Sequence, residues 1–192
     1  MLTFSVGVFV KLFGLASSGI ILGCTISSDK KKFIPQVKGG FSPNLFINIQ
    51  KDGNIILIAS RSEMGQGIRT SLASAIADEL EADWKYISVK QATGDEKYGN
   101  QNTDGSRSVR TRLEPMRKMG VAAKMMLISA AANKWNISEN NCKAVNHFVV
   151  NTQTDEKIFY GDLVDEVSKI PIPKDDFIEL KKVENFKYIG KT

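Results

Sequence analysis

The residues best suited to chemistry lie in one stretch, Ser60-Arg61-Ser62-Glu63-Met64-Gly65-Gln66-Gly67-Ile68-Arg69-Thr70. An apolar run, Ile55 to Ala59, enters it, and a helical pattern leaves it. The expected order is strand, tight loop, helix start. Gly65 and Gly67 permit positive φ and, lacking Cβ, let a ligand approach the backbone closely. The N–H groups of the first helical turn point into the same space and favour an anionic group. Gln66 adds an amide that donates and accepts hydrogen bonds. This is the chemistry of holding a ligand; the plainer alternative is a polar turn between a strand and a helix.

A second candidate follows an aperiodic polar loop. Gly105-Ser106-Arg107-Ser108 opens a long helical stretch. Hydroxyls and a guanidinium at a helix start suit phosphate or another anion, with an ordinary serine cap and a surface arginine as the alternative. Other groups read as structural. Asp78, Glu79, Glu81 and Asp83 crowd the far end of the first helix and are expected to form a solvated face. His147 stands alone in a strand-like run. One histidine, two cysteines and no C-x-x-C or H-E-x-x-H exclude most self-contained metal sites. No catalytic residue and no metal ligand is assigned. The net charge is +5, but the lysines are scattered without an aromatic-interleaved stripe, so nucleic acid is not an expected partner.

The elements that must position these loops follow from periodicity. Asp52-Gly53 between Leu45–Gln50 and Ile55–Ala59 is a hairpin signal, and the continuously apolar second strand is expected to be buried on both faces. Ile68, Leu72, Ala75, Ile76, Glu79 and Leu80 follow helical spacing. Trp84 to Ala92 alternates like a half-buried strand. Val109, Leu113, Met116, Gly120, Ala123, Leu127, Ala130, Ala131 and Trp135 form a second helical stripe ending at Asn136, with Pro115 expected to kink or restart it. Met116, Met119, Met125 and Met126 read as core filler. Short strands at Cys142–Val145 and Phe148–Val150 flank a turn at Asn146-His147, and Cys142 is expected to be a buried free thiol. A short amphipathic helix, Gly161 to Val167, follows. The fold class is α/β (α+β): a β-hairpin leading to a glycine-rich loop and helix, with further strands packed on a long kinked helix.

Four segments emerge: a leader over 1–23, a polar tether over 24–40, the domain over 41–173, and a lysine-rich linker over 174–192. Ile21-Leu22-Gly23-Cys24 is similar to a bacterial lipobox, so Cys24 is expected to be a lipidation site and the chain to be an exported, membrane-anchored lipoprotein facing the periplasm. A plain signal peptide or an uncleaved anchor is the alternative.

The wording of the two loops is more specific than their physics. Glu63-Met64-Gly65-Gln66-Gly67, then Thr70 and Ile76-Ala77-Asp78-Glu79-Leu80, resembles the large subunits of the molybdenum hydroxylases, the xanthine dehydrogenase and aldehyde oxidoreductase family. Tyr98-Gly99-Asn100-Gln101, then Gly105-Ser106-Arg107-Ser108-Val109-Arg110, resembles the matching loop of isoquinoline-oxidoreductase-type beta subunits, with Asp104 where a smaller residue is expected. The resemblance implies a molybdopterin-binding domain, with Gly65, Gln66, Gly67, Ser106 and Arg107 at a molybdopterin cytosine dinucleotide cofactor. It also implies an oxidation of N-heterocycles or aldehydes with water as oxygen source, and an iron–sulfur subunit as electron partner. The family's catalytic Gly-Glu-Pro-type segment does not occur in this sequence, so the likeness is to the N-terminal domain, shared with further domains; Tyr188-Ile189-Gly190-Lys191 resembles the join to the next. The twin-arginine leader common in the family is not matched either, since Val6 and Gly7 stand at its arginine positions. The rival reading is a non-catalytic lipoprotein fragment that keeps the fold without cofactor.

Overall fold

A computed structural model describes residues 40–191. The leader, the tether and Cys24 lie outside the described residues. A four-stranded sheet is ordered β1 (Gly40–Asn44), β2 (Ile47–Gln50), β3 (Ile55–Ala59) and β4 (Ile87–Gln91). The hairpin β2–β3 forms where Asp52-Gly53 predicts it. The Asp52 carboxylate accepts the Asn54 N–H at 2.9 Å, and Gly53 N–H closes the turn on the Gln50 carbonyl at 2.9 Å. Strand β1 is not foreseen, because Pro43 lacks the N–H of a ladder strand. At a sheet edge that loss is tolerated, and among the described residues β1 pairs only with β2. The Asn44 side chain then folds the chain back by accepting the Phe46 and Ile47 N–H groups.

Strands β3 and β4 are parallel, from Ile55 opposite Ile87 to Ala59 opposite Gln91. A parallel pair needs a crossover, and α1 (Ile68–Leu80) provides it. Ile68, Leu72, Ile76 and Leu80 bury its face against Ile47, Ile49, Ile55 and Leu57. β3 is not buried on both faces as expected: Ile55, Leu57 and Ala59 are buried, while Ile56 and Ile58 on the opposite face are only half-buried. β4 is also shorter than the alternation over Trp84 to Ala92 suggests, because Trp84–Tyr86 forms a 3₁₀ turn capped by the Asp83 side chain.

Helix α2 (Arg107–Trp135) crosses α1. It runs without interruption through Pro115, and the expected restart does not occur. A proline inside a helix costs about 3 kcal/mol, but each fully buried large apolar side chain contributes roughly 1.5–3 kcal/mol. Met116, Met126 and Leu127 lie in the packed part beyond the proline, so packing wins. Gly120 sets the closeness of the two helices: a Cβ there would lie 2.8 Å from the Ile76 carbonyl oxygen and 3.0 Å from Glu79 Cβ. Val109, assigned to the apolar stripe, is exposed instead. Asn136 ends the helix in the left-handed region, as expected.

A second sheet of β5 (Cys142–Val145), β6 (Phe148–Asn151) and β7 (Lys157–Phe159) is an antiparallel meander. β7 is hidden in the sequence, because its few residues follow directly on a polar turn. Cys142 is a buried free thiol. Asn146 and His147 make the β5–β6 turn with φ of 45° and 74°. His147 is buried; its Nε2 lies 2.9 Å from the Gly53 carbonyl, and its Nδ1 accepts the Asp83 N–H at 3.2 Å. The ring is therefore a neutral joint between the two sheets, and burial holds its pKa below the usual value. The segment expected as a short helix is a 3₁₀ turn, Tyr160–Leu163, continued by α3 (Val164–Val167).

Candidate functional site

The glycine loop joins β3 to α1 and lies on the surface, with Met64 69% exposed. Gly65 and Gly67 have φ of 95° and 78°, and a Cβ at either would meet nothing within 4 Å. The backbone there is open to a ligand, and the left-handed conformation is one that glycine adopts without strain. Gln66 is turned onto its own loop: its Oε1 accepts the Met64 N–H at 2.6 Å, and its Nε2 donates to the Ser62 carbonyl at 3.1 Å. Both bonds are local and exposed, so the amide can exchange them for a ligand.

The N-terminus of α1 differs from the sequence expectation. Its N–H groups do not face an empty anion site. Glu63 Oε1 accepts from Gly65 N–H at 2.8 Å and Gly67 N–H at 3.0 Å, and Oε2 accepts from Arg69 N–H at 3.0 Å. Gly67 has no side chain with which to cap the helix, and Glu63 replaces it from four residues upstream. The Arg69 and Gly67 N–H groups hold the Glu63 carboxyl below its usual pKa, as expected for an anion at the positive end of a helix dipole. Glu63 was not singled out in the sequence, although an acid just ahead of a helix start is a capping signal.

The second loop comes to the same place. Arg61, 4% exposed at the end of β3, reaches across to it. Its Nη1 donates to Asn100 Oδ1 at 3.0 Å and to the Asn102 carbonyl, and its Nη2 donates to Thr111 Oγ1 at 3.4 Å. Thr103 Oγ1 donates to the Ser62 carbonyl at 2.8 Å. The two stretches picked out in the sequence are thus one surface region, stitched by a residue that sequence reading missed. Ser106 has φ 53° and its side chain makes no cap hydrogen bond. Arg107 is engaged by Asp104, with Nη2 2.7 Å and 2.6 Å from the two carboxylate oxygens. That pair holds Asp104 below and Arg107 above their usual values. The residue that departs from the family wording therefore neutralises the guanidinium beside it.

The acidic end of α1 is the clearest correction. Asp78 and Glu79 are fully buried. Asp78 accepts the backbone N–H groups of Lys187, Tyr188 and Ile189 at 2.5, 3.2 and 2.9 Å. Glu79 pairs with Arg117 at 2.6 Å and accepts Lys181 N–H at 3.1 Å. Glu81 holds Lys181 and Lys187 at 2.5 and 2.6 Å. Burial raises the Glu81 pKa, but the two lysines outweigh it and keep the carboxyl below its usual range. These acids form a socket for the lysine-rich tail. Among the described residues no group of three or more His, Cys, Asp or Glu is arranged to hold a metal.

Comparison with known proteins places the chain in a family. Residues 5–189 match the family of the molybdopterin cofactor-binding domain. The chain is 29% identical over 171 residues to a membrane-bound aldehyde dehydrogenase (pyrroloquinoline-quinone) of Gluconacetobacter polyoxogenes, covering 81% of this chain and 22% of that protein. It is 31% identical over 133 residues to the isoquinoline 1-oxidoreductase subunit beta of Brevundimonas diminuta, covering 66% of this chain and 17% of that protein. The chain thus spans about a fifth of the length of these relatives. Its fold superposes on quinoline 2-oxidoreductase from Pseudomonas putida 86 with a TM-score of 0.52 at 14% identity, over 64% of this chain and 15% of that one.

Proposed function

The chain belongs to the molybdopterin cofactor-binding domain family, and from that premise we propose that its paired loops are the cofactor-holding part of a molybdenum-dependent oxidoreductase. The observation that carries the reading is the open backbone at Gly65 and Gly67, with the exchangeable Gln66 amide between them, clamped through Arg61 to the loop that starts α2. The residues fit a flat, hydrogen-bonding heterocycle laid on this surface. They do not fit a phosphate at the N-terminus of α1, because Glu63 fills that place. Gln66 would orient the bound group; Gly65 and Gly67 would let it approach; Ser106 and Arg107 would border it, Arg107 once its bond to Asp104 is exchanged. When bound, the cofactor supplies two-electron oxidation chemistry, and the protein supplies position and electrostatics.

The finer reading is a molybdopterin cytosine dinucleotide and an oxidation of N-heterocycles or aldehydes with water as oxygen source. Electrons pass to an iron–sulfur subunit, and further domains of the molybdenum subunit complete the enzyme. The chain is exported and held at the membrane through a lipid on Cys24. One observation favours the rival reading, a domain that keeps the fold without cofactor: Glu63 and Asp104 satisfy both features that would otherwise receive an anion. Metal and pterin analysis of natively purified protein, with the masses of co-purifying chains, separates the two. Stoichiometric molybdenum with larger partners is expected, and Gln66→Ala should lower the retained molybdenum several-fold. A molybdenum content unchanged by Gln66→Ala would count against the loop; no molybdenum and no partner would leave only the cofactor-free domain.

A further inference from the structure

The stretch between β4 and α2, residues 92–106, is polar and aperiodic, with a 3₁₀ turn at Glu96–Tyr98 as its regular structure. Ordering such a backbone costs conformational entropy at every residue, and a loop of this length in a compact domain is usually either functional or disordered. Here three groups meet on one exposed residue, Asn100. Its Oδ1 accepts Arg61 Nη1 at 3.0 Å and the Asn102 N–H at 2.9 Å, and its backbone carbonyl accepts Arg112 Nη2 at 2.9 Å. The side chain thus closes a local turn and ties it to the end of β3, while the carbonyl ties it to α2. Gly99, with φ 68° and ψ −150°, leads the chain into this knot through a conformation essentially restricted to glycine.

The energetics favour the closed loop. Arg61 is 4% exposed, and a buried charge needs partners. The three acceptors of its guanidinium are Asn100 Oδ1, the Asn102 carbonyl and Thr111 Oγ1, which lie on the second loop and on α2. If the loop lifts, two of these three acceptors leave with it and the guanidinium stays behind. The open loop therefore carries the cost of an under-partnered buried charge, and the closed loop does not. The base of the arginine is fixed from the sheet: Gln91 Nε2, on β4, donates to the Ala59 carbonyl at 2.9 Å and to the Arg61 carbonyl at 3.3 Å. The clamp has a sheet-bound anchor on one side and a single exposed contact residue on the other.

We propose that Asn100 is a positioning residue for the cofactor surface: with Arg61 and Arg112 it holds the second loop in its binding-competent shape before any ligand arrives, and it acts through the loop rather than on the ligand. The role rests on the cofactor reading for the identity of the ligand, whereas the clamp exists without one. Apparent affinity scales with the fraction of the protein already in the competent shape, so loosening the loop weakens binding with no ligand contact removed.

Amide hydrogen exchange of the purified full chain, without cofactor, reads the clamp directly. Asn100→Ala should speed exchange over residues 99–106 about tenfold, the scale of one lost charge-assisted hydrogen bond, while the buried parts of α1 and α2 keep the parent rates. Asn100→Asp retains the Oδ1 acceptor and should restore the parent protection. The second readout is pterin retained per chain after native purification. Asn100→Ala should lower it by a similar factor and Asn100→Asp should not, with the denaturant midpoint of both variants at the parent value. Unchanged loop exchange in Asn100→Ala, or a loss that Asn100→Asp does not restore, overturns the clamp. A midpoint that falls in step with retention makes Asn100 a stability residue and overturns the positioning role. A loosened loop with undiminished pterin overturns the positioning role and leaves the cofactor reading standing. A loosened loop rescued by Asn100→Asp, in a protein that never carries pterin, supports the clamp and removes the cofactor reading.

Discussion

The two ends of α1 treat carboxylates in opposite ways. At the N-terminus a single acid, Glu63, accepts three backbone N–H groups while remaining exposed. The helix dipole favours it there. At the C-terminus Asp78, Glu79 and Glu81 sit where the dipole disfavours negative charge, and Asp78 and Glu79 are sealed from water. They are held only because the tail brings backbone N–H groups and lysines, and α2 brings Arg117. One end is local, open and exchangeable. The other is long-range, closed and fully partnered. The comparison teaches that similar side chains on one helix can mark a ligand surface or a structural clasp, and that burial with complete partnering distinguishes them.

The largest effect should come from breaking the closed end. Glu79→Ala leaves the Arg117 side chain, 15% exposed, without its carboxylate. Removing one partner of a buried pair costs roughly 3–5 kcal/mol, which denaturant unfolding would register, and faster proteolysis of the tail after residue 174 should accompany it. A loss no larger than that of an exposed acid would dissolve the contrast between the two ends.

An intermediate effect is expected from acid, through His147. This ring sits against the closed end, where its backbone N–H donates to the Glu81 carbonyl and its Nδ1 accepts from Asp83. Its folded pKa lies below its unfolded value, so the unfolded chain binds the proton first. The contribution is complete above about pH 6.5, the unperturbed histidine value, and is lost as pH falls from there towards the folded pKa. Stability measured against pH in the parent and in His147→Gln should converge below that range.

The smallest effect belongs to the open end. Glu63→Ala removes an exposed cap, and its loss in thermal stability should fall below that of Glu79→Ala, with Glu63→Gln recovering part of it because an amide oxygen still accepts. A Glu63→Ala loss as large as that of Glu79→Ala would show that the glycine loop is part of the core and not an exchangeable surface.

Local signals carried much of the fold. Asp52-Gly53 declared the hairpin, the spacing of Ile68, Leu72, Ile76 and Leu80 declared α1, and Gly65 and Gly67 occur with the positive φ that their positions call for. The glycine loop and the start of α2 were legible as ligand-holding candidates because glycine, amide, hydroxyl and guanidinium chemistry is written in residue types. Partnership was not legible. Whether Asp78 meets water or the N–H groups of Lys187, Tyr188 and Ile189 depends on residues more than a hundred positions away. Whether Arg107 faces a ligand depends on how Asp104 turns, and nothing local made Arg61 the bridge between the loops. Periodicity and turn chemistry act over a few residues, so the sequence by itself determined the elements and the candidate groups. Charge compensation and burial are set by what the fold brings near, so only the tertiary structure decided which carboxylates were sealed, that Arg61 is buried with no carboxylate partner among the described residues, and that the two loops form one surface.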